Sequence, residues 1–347
     1  MADPAVTRPT TTGSCTSFFH SAVALLLYVG FLHINAAVLL AAALLLPARY
    51  FAAVAGFLLL SLVIPVDDKS DFGNRLSRCF LFAINRNFTG RFTFLSSPNR
   101  FFFAIFRYIL KHITSYFPIT LHADDVDAFD PNQAYVIGYE PHSLVPLANS
   151  VLSSHAGLMP LPKIKVTANS ASFWIPFMRH IWTWVGHVPV TRKSFLKCLE
   201  AGYSVVVVPG GVREMVHMKH DSEVAYLKSR KGFVKIAIET GRPLVPVFCF
   251  GQNKIYKWWN PGEKLSARIY GAIKFPPTIF LGRFGSPIPF RHPLHIVVGK
   301  PIEVKRNRKP TQEEVDEAHA QFVRALQELF EKYKARVGYP NLKLRIV

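Results

Sequence analysis

Three short stretches of this chain carry side chains able to do chemistry at neutral pH. The first is Gly138-Tyr139-Glu140-Pro141-His142-Ser143, directly after an apolar run that reads as a buried strand. An unperturbed imidazole titrates near ~6.5, close to what a general base needs, which makes His142 a candidate base. A structural histidine bonding a nearby carbonyl fits the same spacing. Pro141 limits the backbone there, ahead of an expected helix start. The second stretch runs from Val205 through Val208 to Pro209-Gly210-Gly211-Val212-Arg213-Glu214. Paired glycines would let backbone N–H groups approach an oxyanion or a phosphate, and Glu214 could orient a histidine or hold it in one tautomer. Many strand-to-helix turns carry Gly-Gly, so this stretch alone decides nothing. The third opens with Arg230-Lys231-Gly232-Phe233, where the amino end of a helix would favour an anion. A solvated basic turn reads equally well.

No metal is expected, because His217 and His220 lack companion ligands at metal-binding spacing. Ser143 and Cys198 could in principle carry an acyl group, but no nucleophile motif surrounds either. The four cysteines, Cys15, Cys79, Cys198 and Cys249, are scattered and read as free thiols.

These residues must be positioned by strands and helices. Ala134 to Tyr139, Val205 to Val208, Leu244 to Phe250 and His295 to Val298 read as buried strands, with Lys163 to Thr167 a weaker one. Helices are expected at Ser172 to Trp184, Arg192 to Ala201, Lys231 to Thr240 and Gln312 to Val337. The last has a Thr311–Glu314 capping box and an apolar stripe of Val315, Ala318, Phe322, Leu326, Leu329 and Tyr333. Strands alternating with helices imply an α/β fold with a largely parallel central sheet flanked by helices. Ligands in such sheets bind beyond the carboxyl ends of the strands, which is where His142 and Glu214 fall.

Composition narrows the setting. Half of the 347 residues are hydrophobic, the mean hydropathy is +0.20, and the formal charge is +19. That charge suits an anionic membrane face or a polyanionic small molecule better than nucleic acid, whose usual binding signatures are absent. Pro9 to Ala48 and Tyr50 to Val66 contain no Asp, Glu, Lys or Arg. A spanning helix needs ~20 apolar residues. Ala22 to Leu46 and Tyr50 to Val66 are therefore expected to form a transmembrane hairpin turning at Pro47 and Arg49, with a single tilted span as the alternative. The basic residues after it place both chain ends on the cytosolic side. Arginines and phenylalanines alternate between Phe72 and Leu110, a pattern for the headgroup layer or for a buried aromatic cluster. The expected organisation is a tail (1–21), the hairpin (22–66), a basic Phe-rich segment at the membrane interface (67–115) and a catalytic domain (116–347).

Taken in order, Tyr116-Phe117-Pro118, Glu140-Pro141-His142-Ser143, Pro209-Gly210-Gly211-x-x-Glu214 and Arg230-Lys231-Gly232-Phe233 with its Val245-Pro246-Val247 and Phe250-Gly251 sequel resemble the type 2 diacylglycerol acyltransferases. The Tyr-Phe-Pro and Glu-Pro-His-Ser forms are similar to the plant and algal branch; animal members carry His-Pro-His-Gly. Leu147 stands where related glycerol-phosphate acyltransferases carry the aspartate of His-x4-Asp. The resemblance implies an acyltransferase-like sandwich, and an endoplasmic-reticulum enzyme that makes triacylglycerol and supplies lipid droplets. Acyl-CoA is its co-substrate, diacylglycerol its acceptor, membrane lipids its surroundings, and no cofactor is needed. His142 would be the base and Glu214, or Glu140, its partner. Glu140, Pro141, Ser143, Gly210 and Gly211 would support it or hold the oxyanion. Arg230 and Lys231 would bind coenzyme A phosphates, with Tyr116, Phe117 and Pro118 also on the substrate side. Leu342 to Val347 is similar to the hydrophobic retrieval signals of plant members, and Phe57-Leu58-Leu59-Leu60 to their neutral-lipid motif. A monoacylglycerol or wax-alcohol acyltransferase, or a non-catalytic lipid-binding protein, are the competing readings, and a homo-oligomer is compatible with all of them.

Overall fold

The computed structural model describes residues 6–9, 18–64, 108–153, 159–273 and 275–347. Most of the basic Phe-rich segment lies outside these. The chain forms two compact units. One contains the described residues of Met1–Ser14, Thr114–Thr167 and Val190–Val347; the other contains those of Cys15–Ile113 and Ala168–Pro189.

The first unit is built on a mixed sheet. Its strands are β1 (Val6–Pro9), β2 (Ile119–Ala123), β3 (Val136–Glu140), β4 (Ile164–Ala168), β6 (Ser204–Val207), β8 (Leu244–Phe250) and β11 (Leu294–Val298), with β5 (His187–Pro189) in the other unit. They lie in the order β1-β2-β11-β8-β3-β6-β4. The run β8-β3-β6-β4 is parallel throughout. Antiparallel pairing appears where β11 meets β8 and β1 meets β2. Every residue of β3, β6 and β8 is buried, which explains why these strands are continuously apolar rather than alternating. Because they run parallel, all three deliver their carboxyl ends to one edge of the sheet.

The longest helix of this unit, Gln312–Lys334, begins on the expected capping box: Thr311 accepts the Glu314 N–H and Glu314 accepts the Thr311 N–H. Its apolar stripe covers the sheet. Phe330 stacks on Phe250 at 5.3 Å and meets Phe248 edge-on at 5.0 Å. Phe322 lies so close to Gly138 of β3 that a Cβ there would fall 2.4 Å from its ring. Two helices, Arg192–Glu200 and Gly232–Thr240, follow β5 and β7 (Ser222–Ala225) in the chain. β7 pairs in parallel with β12 (Lys343–Ile346), which lies within the segment similar to a hydrophobic retrieval signal.

In the second unit the expected long first span is two helices, α1 (Phe18–Val29) and α2 (Phe31–Leu45), which bend by 83° at Gly30. Glycine is a weak helix former and a common kink site. A Cβ on Gly30 would also stand 2.5 Å from the Leu26 carbonyl. Pro47 does start the next helix, α3 (Ala48–Val63). Among the described residues no single helix is long and apolar enough to cross a membrane, although the bent pair passes that test together. Polar side chains tie these helices to residues 168–189. Tyr28 Oη lies 2.8 Å from His187 Nε2, Trp182 Nε1 donates to the Tyr28 carbonyl, and Asn35 donates to the Pro176 carbonyl. The helix expected over Ser172 to Trp184 is broken. A 3-10 turn covers Ser170–Trp174, and α4 starts only at Met178 and runs to Trp184, because Pro176 offers no N–H to a continuous helix.

Candidate active site

The carboxyl end of β3 leads into Glu140-Pro141-His142-Ser143, that of β6 into Gly210-Gly211 and Glu214, and that of β8 into Gly251-Gln252. The chain after Pro141 stays irregular until a 3-10 turn at Leu147–Leu152, so no helix follows the proline directly. Instead, side chains from the neighbouring strands hold this loop. Glu214 Oε1 accepts the backbone N–H of His142 at 2.6 Å and of Ser143 at 3.2 Å. Its other oxygen accepts the N–H of Tyr226 at 3.1 Å. From the β8 side, the Gln252 amide donates to the Pro141 carbonyl at 2.6 Å and the His142 carbonyl at 3.3 Å, while its oxygen accepts the Tyr139 hydroxyl at 2.6 Å.

The contact between positions 142 and 214 therefore differs from the expected one. The carboxylate meets the backbone of His142, not its ring. The ring has its own partner: Nδ1 lies 2.7 Å from the Ser143 carbonyl. A carbonyl only accepts, so Nδ1 carries the proton and Nε2 keeps a lone pair. Burial pushes the imidazole pKa down to about 4, with the Ser143 carbonyl opposing. At neutral pH the ring is uncharged.

Glu140 is fully buried beside Glu214, and burial followed by the Glu214 charge raises its carboxyl well above the ordinary range. Burial raises Glu214 as well, though its hydrogen bonds pull it back. Two adjacent buried carboxyls cannot both ionise cheaply. The arrangement favours a protonated Glu140 beside an ionised Glu214. A third buried carboxyl, Glu223 on β7, is raised to about 8 by burial and then by Glu214.

The paired glycines differ in what they do. The Gly211 N–H already donates to the Val208 carbonyl at 3.2 Å. Gly210 has another reason to be glycine: a Cβ would stand 2.6 Å from Glu214 Oε2 and 3.2 Å from Tyr226 Cβ. Ser143 sits at φ 50°, in the left-handed region where glycine is favoured. Among the described residues, no group of three or more His, Cys, Asp or Glu is placed to hold a metal ion.

Residues 91–346 match the family model described as diacylglycerol acyltransferase. The chain belongs to the diacylglycerol acyltransferase family. It is 33% identical over 246 residues to a diacylglycerol O-acyltransferase 2 of Dictyostelium discoideum, covering 65% of this chain and 72% of that one. A diacylglycerol O-acyltransferase 2 of Danio rerio is 31% identical, with 66% and 68% covered. A human 2-acylglycerol O-acyltransferase 1 is also 31% identical, with 67% and 74% covered. The chain is accordingly an O-acyltransferase.

The remaining expected substrate contacts fall differently in this acyltransferase. Lys231 Nζ is 2.7 Å from Asp316 of the long helix, so its charge is already matched. The Arg230 guanidinium lies over the Tyr226 ring at 5.2 Å, Arg213 lies over the same ring at 5.0 Å, and His217 stacks on it at 5.2 Å. Tyr226, which sequence reasoning missed, thus collects the cations next to Glu214. Tyr116 and Phe117 are buried; the Tyr116 hydroxyl donates to the Pro289 carbonyl at 2.5 Å, and the Pro118 carbonyl accepts the Leu294 N–H. Tyr116 and Phe117 anchor the start of β2 from within the core, while Pro118 is exposed. Gln252 and Tyr139 were also missed. Tyr139 lies inside a quoted stretch and Gln252 directly after one, but nothing in their spacing signals that they grip the loop of His142.

Proposed function

We propose that this chain transfers a fatty acyl group from acyl-CoA to the sn-3 hydroxyl of diacylglycerol, forming triacylglycerol, with His142 as general base. Nε2 takes the hydroxyl proton as that oxygen attacks the thioester carbonyl carbon. The C–O bond forms, the tetrahedral intermediate collapses, the C–S bond breaks, and the imidazolium returns the proton to the departing thiolate. The Nδ1 bond to the Ser143 carbonyl fixes the tautomer for this exchange. Glu214 and Gln252 hold the backbone that carries the ring, from opposite neighbouring strands. Arg213 and Arg230 supply positive charge for the coenzyme A phosphates. The observation that carries the reading is the His142 ring, tied through Nδ1 to the Ser143 carbonyl, at the sheet edge where three parallel strands end.

We place the enzyme in the endoplasmic-reticulum membrane, with both chain ends cytosolic and access to lipid droplets. The apolar helices of the second unit and the net charge of +19 support that placement. The equal similarity to a 2-acylglycerol O-acyltransferase favours a second acceptor, monoacylglycerol. Membranes carrying His142→Ala should lose transfer by ~100-fold or more while the protein is expressed and inserted normally. Labelled acyl-CoA offered with diacylglycerol, monoacylglycerol and fatty alcohol reads both points. Retained activity in His142→Ala removes the base; product only from monoacylglycerol changes the acceptor.

A further inference from the structure

The unit that carries the sheet also carries an apolar surface the reaction does not use. β9 (Lys257–Trp259) and β10 (Ile279–Leu281) form a two-stranded antiparallel ribbon, with Trp259 opposite Ile279 and Lys257 opposite Leu281. The middle pair faces inward. Trp258 Nε1 donates to Asn253 Oδ1 at 2.9 Å, its ring stacks on His220 at 3.9 Å, and Phe280 packs edge-on against Tyr256 at 5.1 Å. The outer pairs face the other way, and there Trp259, Ile279 and Leu281 are 59%, 62% and 51% exposed. A ribbon with one face in water alternates apolar-in with polar-out. This one is apolar on both faces. Ile273, the last residue of the amphipathic helix α7 (Glu263–Ile273), and Phe275 just after it are each 63% exposed as well. Contiguous exposed apolar surface of this kind marks an interaction site.

Charge selects the partner. Between Lys254 and Arg291 the chain is studded with lysine and arginine, and Glu263 is its one acidic residue. Lys257 stands on the outer face of the ribbon itself, and Lys264, Arg268 and Arg283 are exposed in the same stretch of chain. A second copy of the chain would bring like charge against this rim. An anionic lipid surface brings the opposite charge and an apolar layer behind it. We propose that the ribbon and the end of α7 dock on an anionic lipid surface, with Trp259, Ile279 and Leu281 in the headgroup layer and the cations against lipid phosphate. Gln252, which holds the loop of His142, and Asn253 lie only a few residues before β9 in the chain. The docking requires no particular role for His142.

The test uses the full chain reconstituted in vesicles, with Cys15→Ser and Cys79→Ser and the buried Cys198 and Cys249 retained. An environment-sensitive fluorophore is attached at Ile279→Cys, or at Glu328→Cys on the exposed face of the long helix as control. In phosphatidylcholine vesicles containing phosphatidylserine, spin-labelled lipid should quench the label at 279 at least about twofold more than the label at 328. Lys257→Glu in the labelled chain, or removal of phosphatidylserine, should weaken that difference. Equal quenching at both positions overturns the proposal. So does shielding at 279 that grows with protein concentration without lipid quenching, which would assign the patch to self-association.

Discussion

A histidine held by the carbonyl of the next residue has one tautomer and one usable lone pair, and its burial decides when that lone pair is available. With the His142 pKa at about 4, the imidazole is the free base across pH 5 to 8. Activity should therefore be flat on this account down to pH ~5, then fall about tenfold per pH unit below ~4, as the base is protonated. A kcat/KM profile on reconstituted enzyme measures this. An acid limb near the ordinary ~6.5 would mean that the ring is solvated in the working state. His142 and Glu214 were both legible as strand-end residues, but the direction of their contact was not. Spacing brings a carboxylate near a loop; only the turn geometry decides whether it meets the ring or the backbone N–H groups. Glu140 was readable as a neighbour of His142, yet its raised pKa follows from sharing a buried site with Glu214, three strands further along the chain.

At the scale of elements, the strands that carry the site were the most readable. β3, β6 and β8 are short continuous apolar runs bounded by Pro, Gly or polar turns, and their burial on both faces leaves little else for them to be. β2, β9 and β10 were missed because they are three to five residues long and owe their existence to a partner strand. Local propensity carries no signal for that. The break at Pro176 and the bend at Gly30 were visible as residue types but not weighted as breakers. Gly138 gives the sharpest test of how β3 is set. Gly138→Ala drives a Cβ into the Phe322 ring, so the variant should lose ~1–3 kcal/mol of stability, read as a lowered thermal midpoint in detergent. Adding Phe322→Leu should recover part of that loss, because the two changes share one contact.

For the whole molecule, sequence order and spatial grouping part company. Residues 168–189 follow the loop of His142 in the chain but join the apolar amino-terminal helices in one compact unit. No linear scan for linkers finds such a boundary, since no Pro- or Gly-rich stretch marks it. The segment Leu342 to Val347 makes the same point with a practical edge. It pairs along β7; the Val347 N–H donates to the Ala225 carbonyl and the Val347 carbonyl accepts the N–H groups of Leu227 and Lys228, bracketing Tyr226, whose own N–H braces Glu214. Removing residues 343–347 should lower specific activity and the thermal midpoint even in isolated membranes, where a mere sorting signal would leave both intact. A reporter fused behind Val347 would be tethered to a seam of the catalytic unit, and low turnover from such a fusion would describe the tether, not the enzyme.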